Sequence, residues 1–262
     1  MADPTVLVEI REEVALVTLN RADASNTIDM ALARELLAAA IQCETHATVR
    51  AVVLTGAGKN FCFGGDLRGM VAGGQAVDAY LRELTSYLHS AISHFVRMDA
   101  PVVAAVNGTA AGAGVGLVAM ADLAVSAAGA KFSLAYTGVG LTPDGSTSFL
   151  LPRLIGARRA MELILLNRVL TSEEALGWGL VNRVVADGEA VDEAMAIARK
   201  LAAGPKGAFG KAKRLVARSL GPLEHHLALE SQTIAAQAAS SEGHEGIRAF
   251  LEKRNARYAR NS

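Results

Sequence analysis

Two glycine-rich turns carry the first chemistry in this chain: Phe61-Cys62-Phe63-Gly64-Gly65-Asp66-Leu67 and Asn107-Gly108-Thr109-Ala110-Ala111-Gly112-Ala113-Gly114. Each follows an apolar run and precedes a helix-forming stretch, so each would present backbone N–H groups that lack an intrahelical acceptor. Two such donors facing one another make an oxyanion hole, which holds the charge that develops on a carbonyl oxygen. Taken singly, either turn is better explained by tight bends and close packing. No GxGxxG follows the first strand and no GxxxxGK[ST] occurs, so a phosphate-cradling nucleotide site is not indicated.

Side chains that could move a proton are few. Asp144 stands in Gly140-Leu-Thr-Pro-Asp-Gly-Ser-Thr147, where local sequence alone also reads as a turn whose Asp caps a helix starting near Ser146. His89 lies on an amphipathic stretch, where a lone histidine serves either the structure or acid/base chemistry. The histidines at 46, 94, 225, 226 and 244 show no ligand spacing supported by carboxylates, so no metal is expected. Cys43 and Cys62 form no CxxC pair, which points to a reduced, cytoplasmic protein without a zinc site.

The elements that must position these groups follow from periodicity. Val6, Val8 and Ile10, then Val14 to Leu19, alternate about an Arg11-Glu12-Glu13 turn and predict an opening hairpin. Ala33, Leu36, Leu37, Ala40 and Ile41 share one helical face behind an Asp29 cap. Arg50 to Thr55 is a buried strand, and then come a helix (about 77–96), a strand (102–106), a helix (about 113–121) and a strand (123–126). That alternation predicts βαβ units, a parallel core, and ligands at the carboxyl ends of the strands. From about Glu193 strand signals stop, and helix-forming sequence broken at Gly204-Pro205, Gly221-Pro222 and Gly243 predicts a helical appendage packed on the main body or on another subunit.

Composition narrows the function classes. Among 262 residues, 26 basic side chains balance 26 acidic ones, so no strongly basic surface selects nucleic acid or an anionic membrane. Lys211, Arg214 and Arg218, with Lys206 and Lys213 nearby, read as the solvated side of an amphipathic helix whose apolar side is Ala208, Ala212, Leu215 and Val216. The uncharged stretch from Ala100 to Ala121 is cut by Pro101, Asn107 and glycines 108, 112, 114 and 116, and so predicts a buried strand, turn and helix rather than a membrane span. Met1-Ala-Asp-Pro runs straight into the first alternating segment, with no export signal expected.

The two turns, with Pro101 to Val106, Ala121-Asp122, Ala130-Lys131-Phe132 and Leu170-Thr-Ser-Glu-Glu-Ala-Leu-Gly-Trp-Gly-Leu-Val-Asn-Arg-Val184, together resemble the enoyl-CoA hydratase/isomerase (crotonase) superfamily over essentially the whole chain. The resemblance implies an α/β fold, a crotonase-like spiral of ββα units over residues 1–192, and a C-terminal helical trimerisation region over residues 193–262, giving a homotrimer or a hexamer. It implies an acyl-CoA thioester substrate, no cofactor beyond the coenzyme A of the substrate, and an enolate held by the N–H groups of Gly65 and Ala113. Phe63, Gly64, Asp66, Leu67, Gly112 and Tyr136 fall at its substrate-binding positions. Ser25 and Asn26 match where the superfamily lines the pantetheine and adenine, and Arg68 and a neighbouring subunit's Lys253 match positions that could meet the CoA phosphates.

The reaction turns on the acid/base groups. By the resemblance, Gly116 and Tyr136 occupy the two places where hydratases carry glutamates, and neither moves a proton near neutral pH. Asp144 falls where the branch resembling 2-(1,2-epoxy-1,2-dihydrophenyl)acetyl-CoA isomerase has Pro-Asp; Leu150-Leu-Pro-Arg153 and Glu245-Gly-Ile-Arg-Ala-Phe250 also match that branch. The expectation is double-bond isomerisation with Asp144 as proton shuttle; the alternative is hydration of a 2-enoyl-CoA. Further alternatives are aryl-CoA dehalogenase-like hydrolysis, in which Asp144 is the nucleophile, His89 the base and Tyr136 stands in for a tryptophan, and a homologue that binds CoA or RNA without turnover. Phe63, Met70, Tyr136 and Phe149 suggest an apolar acyl pocket.

Overall fold

The structure is a computed structural model, and it describes residues 3–72 and 77–218 together with Ser241, Glu245, Arg254 and Arg257. The opening alternation forms a hairpin of β1 (Val6–Arg11) and β2 (Val14–Leu19), paired antiparallel with Val6 opposite Leu19. β3 (Ala51–Gly56), β4 (Val102–Val106), β6 (Leu123–Ala127) and β9 (Arg183–Val185) then add in parallel, giving the order β1-β2-β3-β4-β6-β9. β3 and β4 are buried throughout, as their near-continuous Val/Ala runs require of strands covered on both faces.

α1 (Met30–Thr45) starts where expected: the Asp29 carboxylate accepts from the Leu32 N–H at 2.9 Å, satisfying one of the first-turn donors. α1 packs on β1, β2 and α3 (Val77–Arg97), the long helix that later closes one side of the site. α8 (Ala190–Ala202) crosses β2, β3, β4 and β6 with Ala194, Met195 and Ala198 turned into the sheet. It begins ahead of residue 193 and packs on the main sheet. Its last turn is held by Arg50, whose buried guanidinium donates to the carbonyls of Ala202 at 2.6 Å and Gly204 at 2.7 Å, satisfying acceptors that a helix end leaves open.

α9 (Lys206–Arg218) departs from its expected solvated basic face. Lys213 is 9% exposed at the side chain and pairs with Asp122 at 2.7 Å, while also donating to the carbonyls of Phe95 and Ala100. Lys206 donates to the Val49 carbonyl, and Arg214 pairs with Asp99. The physical reason is that α9 lies against α3, so the face that periodicity assigns to water meets protein. No helix among the described residues is long and apolar enough to cross a membrane.

A small second sheet carries the site. β5 (Ala110–Ala111) pairs in parallel with β7 (Lys131–Ser133), which pairs with β8 (Leu170–Thr171). α4 (Ala113–Ala119) follows β5 directly, and α5 (Thr147–Ile155) packs on α4. The chain also forms α2 (Leu67–Ala72), α6 (Ala157–Leu166) and α7 (Ser172–Trp178).

Candidate active site

The two glycine-rich turns meet. Ala111 donates its N–H to the Cys62 carbonyl at 2.8 Å, and Cys62 bridges Ala110 in parallel. Gly64 sits at φ +79°, and a Cβ on it would lie 2.8 Å from the Ala111 carbonyl and 3.0 Å from the Ala113 nitrogen, so only glycine allows this approach. Among the described residues neither the Gly65 nor the Ala113 N–H has a hydrogen-bond acceptor. Both residues line one cavity of about 300 Å³. An amide pair of this kind, free of protein partners and open to a shared cavity, is the arrangement an oxyanion requires.

Asn26 explains how the first turn keeps its shape. It is fully buried, donates to the carbonyls of Ala57, Asn60 and Phe61 at 2.8–3.1 Å, and accepts from the Arg21 N–H at 2.9 Å. Its side chain is therefore consumed in holding the turn. Ser25 accepts from the Asn60 amide at 3.2 Å and supports the same loop. Asp66 is likewise engaged: it accepts from the Arg68 N–H at 3.0 Å and pairs with Arg21 at 3.3 Å. Arg68 is exposed beside it. Lys253 lies outside the described residues.

The cavity wall is apolar: Ile28, Leu84, Leu88 and Leu134 are buried, with Phe63, Leu67, Val139 and Leu141 exposed toward its mouth. Gly112, Tyr136 and Asp144 complete the expected residues there. Phe149 is not among them; it lies under Arg153 and faces a second cavity. The Met70 side chain is outside what the structure describes. The contribution of α3 through Leu81, Leu84, Thr85 and Leu88 escaped sequence reasoning, although the i, i+3, i+4, i+7 spacing of these residues marks one helical face.

Asp144 is the only carboxylate among the described lining residues. Its side chain does not cap α5; only its backbone carbonyl accepts from Thr147. The carboxylate instead meets His89 Nε2 at 2.8 Å, across 55 residues of sequence. Burial pushes the Asp144 carboxyl upward, but the His89 hydrogen bond, the charge on that ring and the Gly145 amide outweigh it and hold the group below its ordinary value. The same hydrogen bond raises His89 above the ordinary histidine value, against partial burial. Asp144 is thus ionised at neutral pH, and the cavity contains a ready base.

Tyr136 donates its hydroxyl to the Asp144 carbonyl at 3.1 Å, and burial, then the nearby carboxylate, pushes its phenol far above neutral pH. It ties the turn, and its phenol stays protonated at neutral pH. A Cβ on Gly116 would lie 1.9 Å from the Gly145 carbonyl, so the Asp144-Gly145 turn fills the volume that a longer residue at 116 would need. Cys62 is fully buried, and burial pushes its thiol up to about 12, so it stays protonated at neutral pH. No group of three metal-ligating side chains occurs among the described residues.

A family profile described as Enoyl-CoA hydratase/isomerase matches residues 9–261. The chain belongs to the enoyl-CoA hydratase/isomerase family. It is 39% identical to a probable enoyl-CoA hydratase of Rhodobacter capsulatus over 255 residues, covering 97% of each chain. It is 34% identical to the 1,2-epoxyphenylacetyl-CoA isomerase of Escherichia coli over 256 residues, again covering 97% of each. It is 35% identical to a 4-chlorobenzoyl coenzyme A dehalogenase of an Arthrobacter species, over 96% of this chain and 92% of the relative. The crystal structure of an enoyl-CoA hydratase from Polaromonas superimposes with a TM-score of 0.93 at 32% identity, over 97% of this chain and 99% of the other. The crotonase fold expected from the two turns is thereby shown, and family membership makes the protein an enzyme acting on acyl-CoA thioesters.

Proposed function

We propose that this family member moves the double bond of an apolar enoyl-CoA thioester. The observation that carries the reading is Asp144 as the one described carboxylate in a cavity that also receives the Gly65 and Ala113 amides. The carboxylate removes a proton from a carbon next to the double bond, and the C–H electron pair passes into an enolate whose oxygen the two N–H groups hold. The same group, now an acid, protonates the carbon two positions away. Phe63, Leu67, Leu84, Leu88, Val139 and Leu141 give the acyl group an apolar bed.

The His89 contact favours a second reading, hydrolytic dehalogenation of a haloaryl-CoA, in which the Asp144 carboxylate displaces halide from the ring and His89 takes a proton from the water that cleaves the resulting aspartyl ester. One experiment separates these reactions from hydration. Incubation with 3-enoyl-, 2-enoyl- and 4-chlorobenzoyl-CoA in heavy-oxygen water, followed by mass spectrometry, is expected to give isomer without label. Label in a 3-hydroxyacyl product overturns the reading in favour of hydration; label in a hydroxybenzoyl product overturns it in favour of the aspartyl ester. A binding role without turnover finds no support in α9, where Lys206, Lys213 and Arg214 are engaged within the fold.

We assign the exposed apolar side chains of α6 and its flanks, Met161, Leu165, Leu166 and Val169, to contacts between copies, consistent with a trimer or hexamer. Sedimentation is expected to give three or six times the 27.2 kDa chain mass, and a monomer would refute the assignment.

A further inference from the structure

Arg21 reaches the amide pair through two peptide units. Its backbone is fixed by the turn that follows β2: the N–H donates to the Asn26 side chain at 2.9 Å, and the carbonyl accepts from the N–H groups of Ala24 and Asn26. Its guanidinium, 20% exposed, then bridges three residues. Nη1 donates to the Thr27 carbonyl and, at 3.3 Å, to the Thr27 hydroxyl; Nη2 meets Asp29 at 3.1 Å and Asp66 at 3.3 Å. The groups held in this way lie on either side of Gly65. The Thr27 carbonyl shares a peptide unit with the Ile28 N–H, which donates to the Gly64 carbonyl at 2.7 Å, and the Ile28 carbonyl accepts from the Asp66 N–H at 3.0 Å. In a trans peptide the carbonyl and the N–H point in opposite directions. Fixing the Gly64 carbonyl on Ile28 therefore turns the Gly65 N–H to the other side, toward the cavity that Gly65 lines. Two successive glycines leave this peptide plane without a Cβ to restrict its rotation, so its direction must be set from outside.

We infer that Arg21 is the positioning residue that aims the Gly65 amide at the thioester oxygen. The inference rests on the reading of Gly65 and Ala113 as the oxyanion site and adds what sets its direction. Arg21 acts in two ways. A cation that donates to the Thr27 carbonyl orients and polarises the Thr27–Ile28 unit, which in turn orients and polarises the Gly64–Gly65 unit, so the last N–H in the series is both aimed and strengthened as a donor. The same guanidinium neutralises Asp66, whose carboxylate would otherwise stand unpaired one residue from the developing negative charge. Arg21 is not among the residues lining the cavity and acts on the substrate only through the amide.

The test reads the polarisation of a bound thioester and needs no turnover. The probe is 4-(dimethylamino)cinnamoyl-CoA, whose absorption moves to longer wavelength as hydrogen bonds draw charge onto the thioester oxygen. Each protein is titrated to saturation, and thermal melting is recorded beside the spectra. Wild type is expected to shift the absorption to the red. Arg21→Met, which keeps the length of the side chain and removes its donors and charge, is expected to saturate with a shift cut to about half, since one of two donors is misdirected. An arginine that merely braces the fold would lower the melting temperature and leave the shift at saturation unchanged, and that result overturns the inference. Where Arg21→Met does not fold or bind, Arg21→Lys decides: it keeps the charge and loses the planar fork that reaches Thr27 and both carboxylates together. A reduced shift in Arg21→Lys supports the inference and a full one overturns it. No shift in wild type removes the amide-pair reading itself, and the inference with it.

Discussion

Asp144→Asn is expected to reduce isomerase turnover about 10⁴-fold, the upper end for one acid/base group, because both proton transfers pass through the same carboxylate. The substitution is nearly isosteric and keeps an oxygen for His89 Nε2, so the 2.8 Å contact and the fold should persist. Steady-state kinetics on a 3-enoyl-CoA, with thermal melting of both proteins, makes the comparison. The fall should appear in kcat with KM little changed, since the acyl cavity and the two amides are untouched. Turnover within tenfold of wild type would remove Asp144 from its role, whatever else the cavity does. The pH dependence follows from the direction of the shifts. Asp144 titrates below its ordinary value and His89 above its own, so the charged pair adds stability between them. That contribution is lost as pH falls through the lowered carboxyl value, and again as pH rises through the raised imidazole value.

Ala113→Pro tests the amide pair with the least disturbance available to a backbone donor. Ala113 is the first residue of α4, where proline's fixed φ suits the helix and the missing N–H has no intrahelical partner. The donor to the cavity disappears and the proline Cδ stands where its hydrogen pointed, so KM is read beside kcat to separate a lost hydrogen bond from a blocked pocket. Loss of one such donor is expected to lower kcat by 10²- to 10³-fold, about 3 kcal/mol in the transition state. Circular dichroism and melting would confirm the fold, and a kcat within threefold of wild type would show that the oxyanion is held elsewhere.

Much of this was legible in the chain because the signals are local. The alternation at Val6 to Leu19, the Asp29 cap and the buried runs at 51–56 and 102–106 each express a short-range period. The glycine turns announced free amides, and their joint occurrence pointed to the family. Contacts set by packing were not legible. β5 is two residues long and has no period to detect, yet it joins Cys62 to Phe132 through Ala110. His89 and Asp144 meet only because α3 lands against the 140–146 turn, a relation that no window of sequence contains. Lys213 shows the converse error, in which a correct helical period gave the wrong environment because α3 covers the charged side.

The contact between Gly116 and the Gly145 carbonyl bears on how chemistries of this kind can change into one another. A glutamate introduced at 116 would need its Cβ where, at 1.9 Å, an oxygen already stands. Such a replacement is harmful until the 143–146 turn moves, and moving that turn first withdraws Asp144 from the cavity. The two changes are therefore non-additive, each unfavourable without the other. A lineage crossing between one-carboxylate and two-glutamate catalysis on this scaffold must traverse an epistatic valley, and single substitutions at either position should be dead ends.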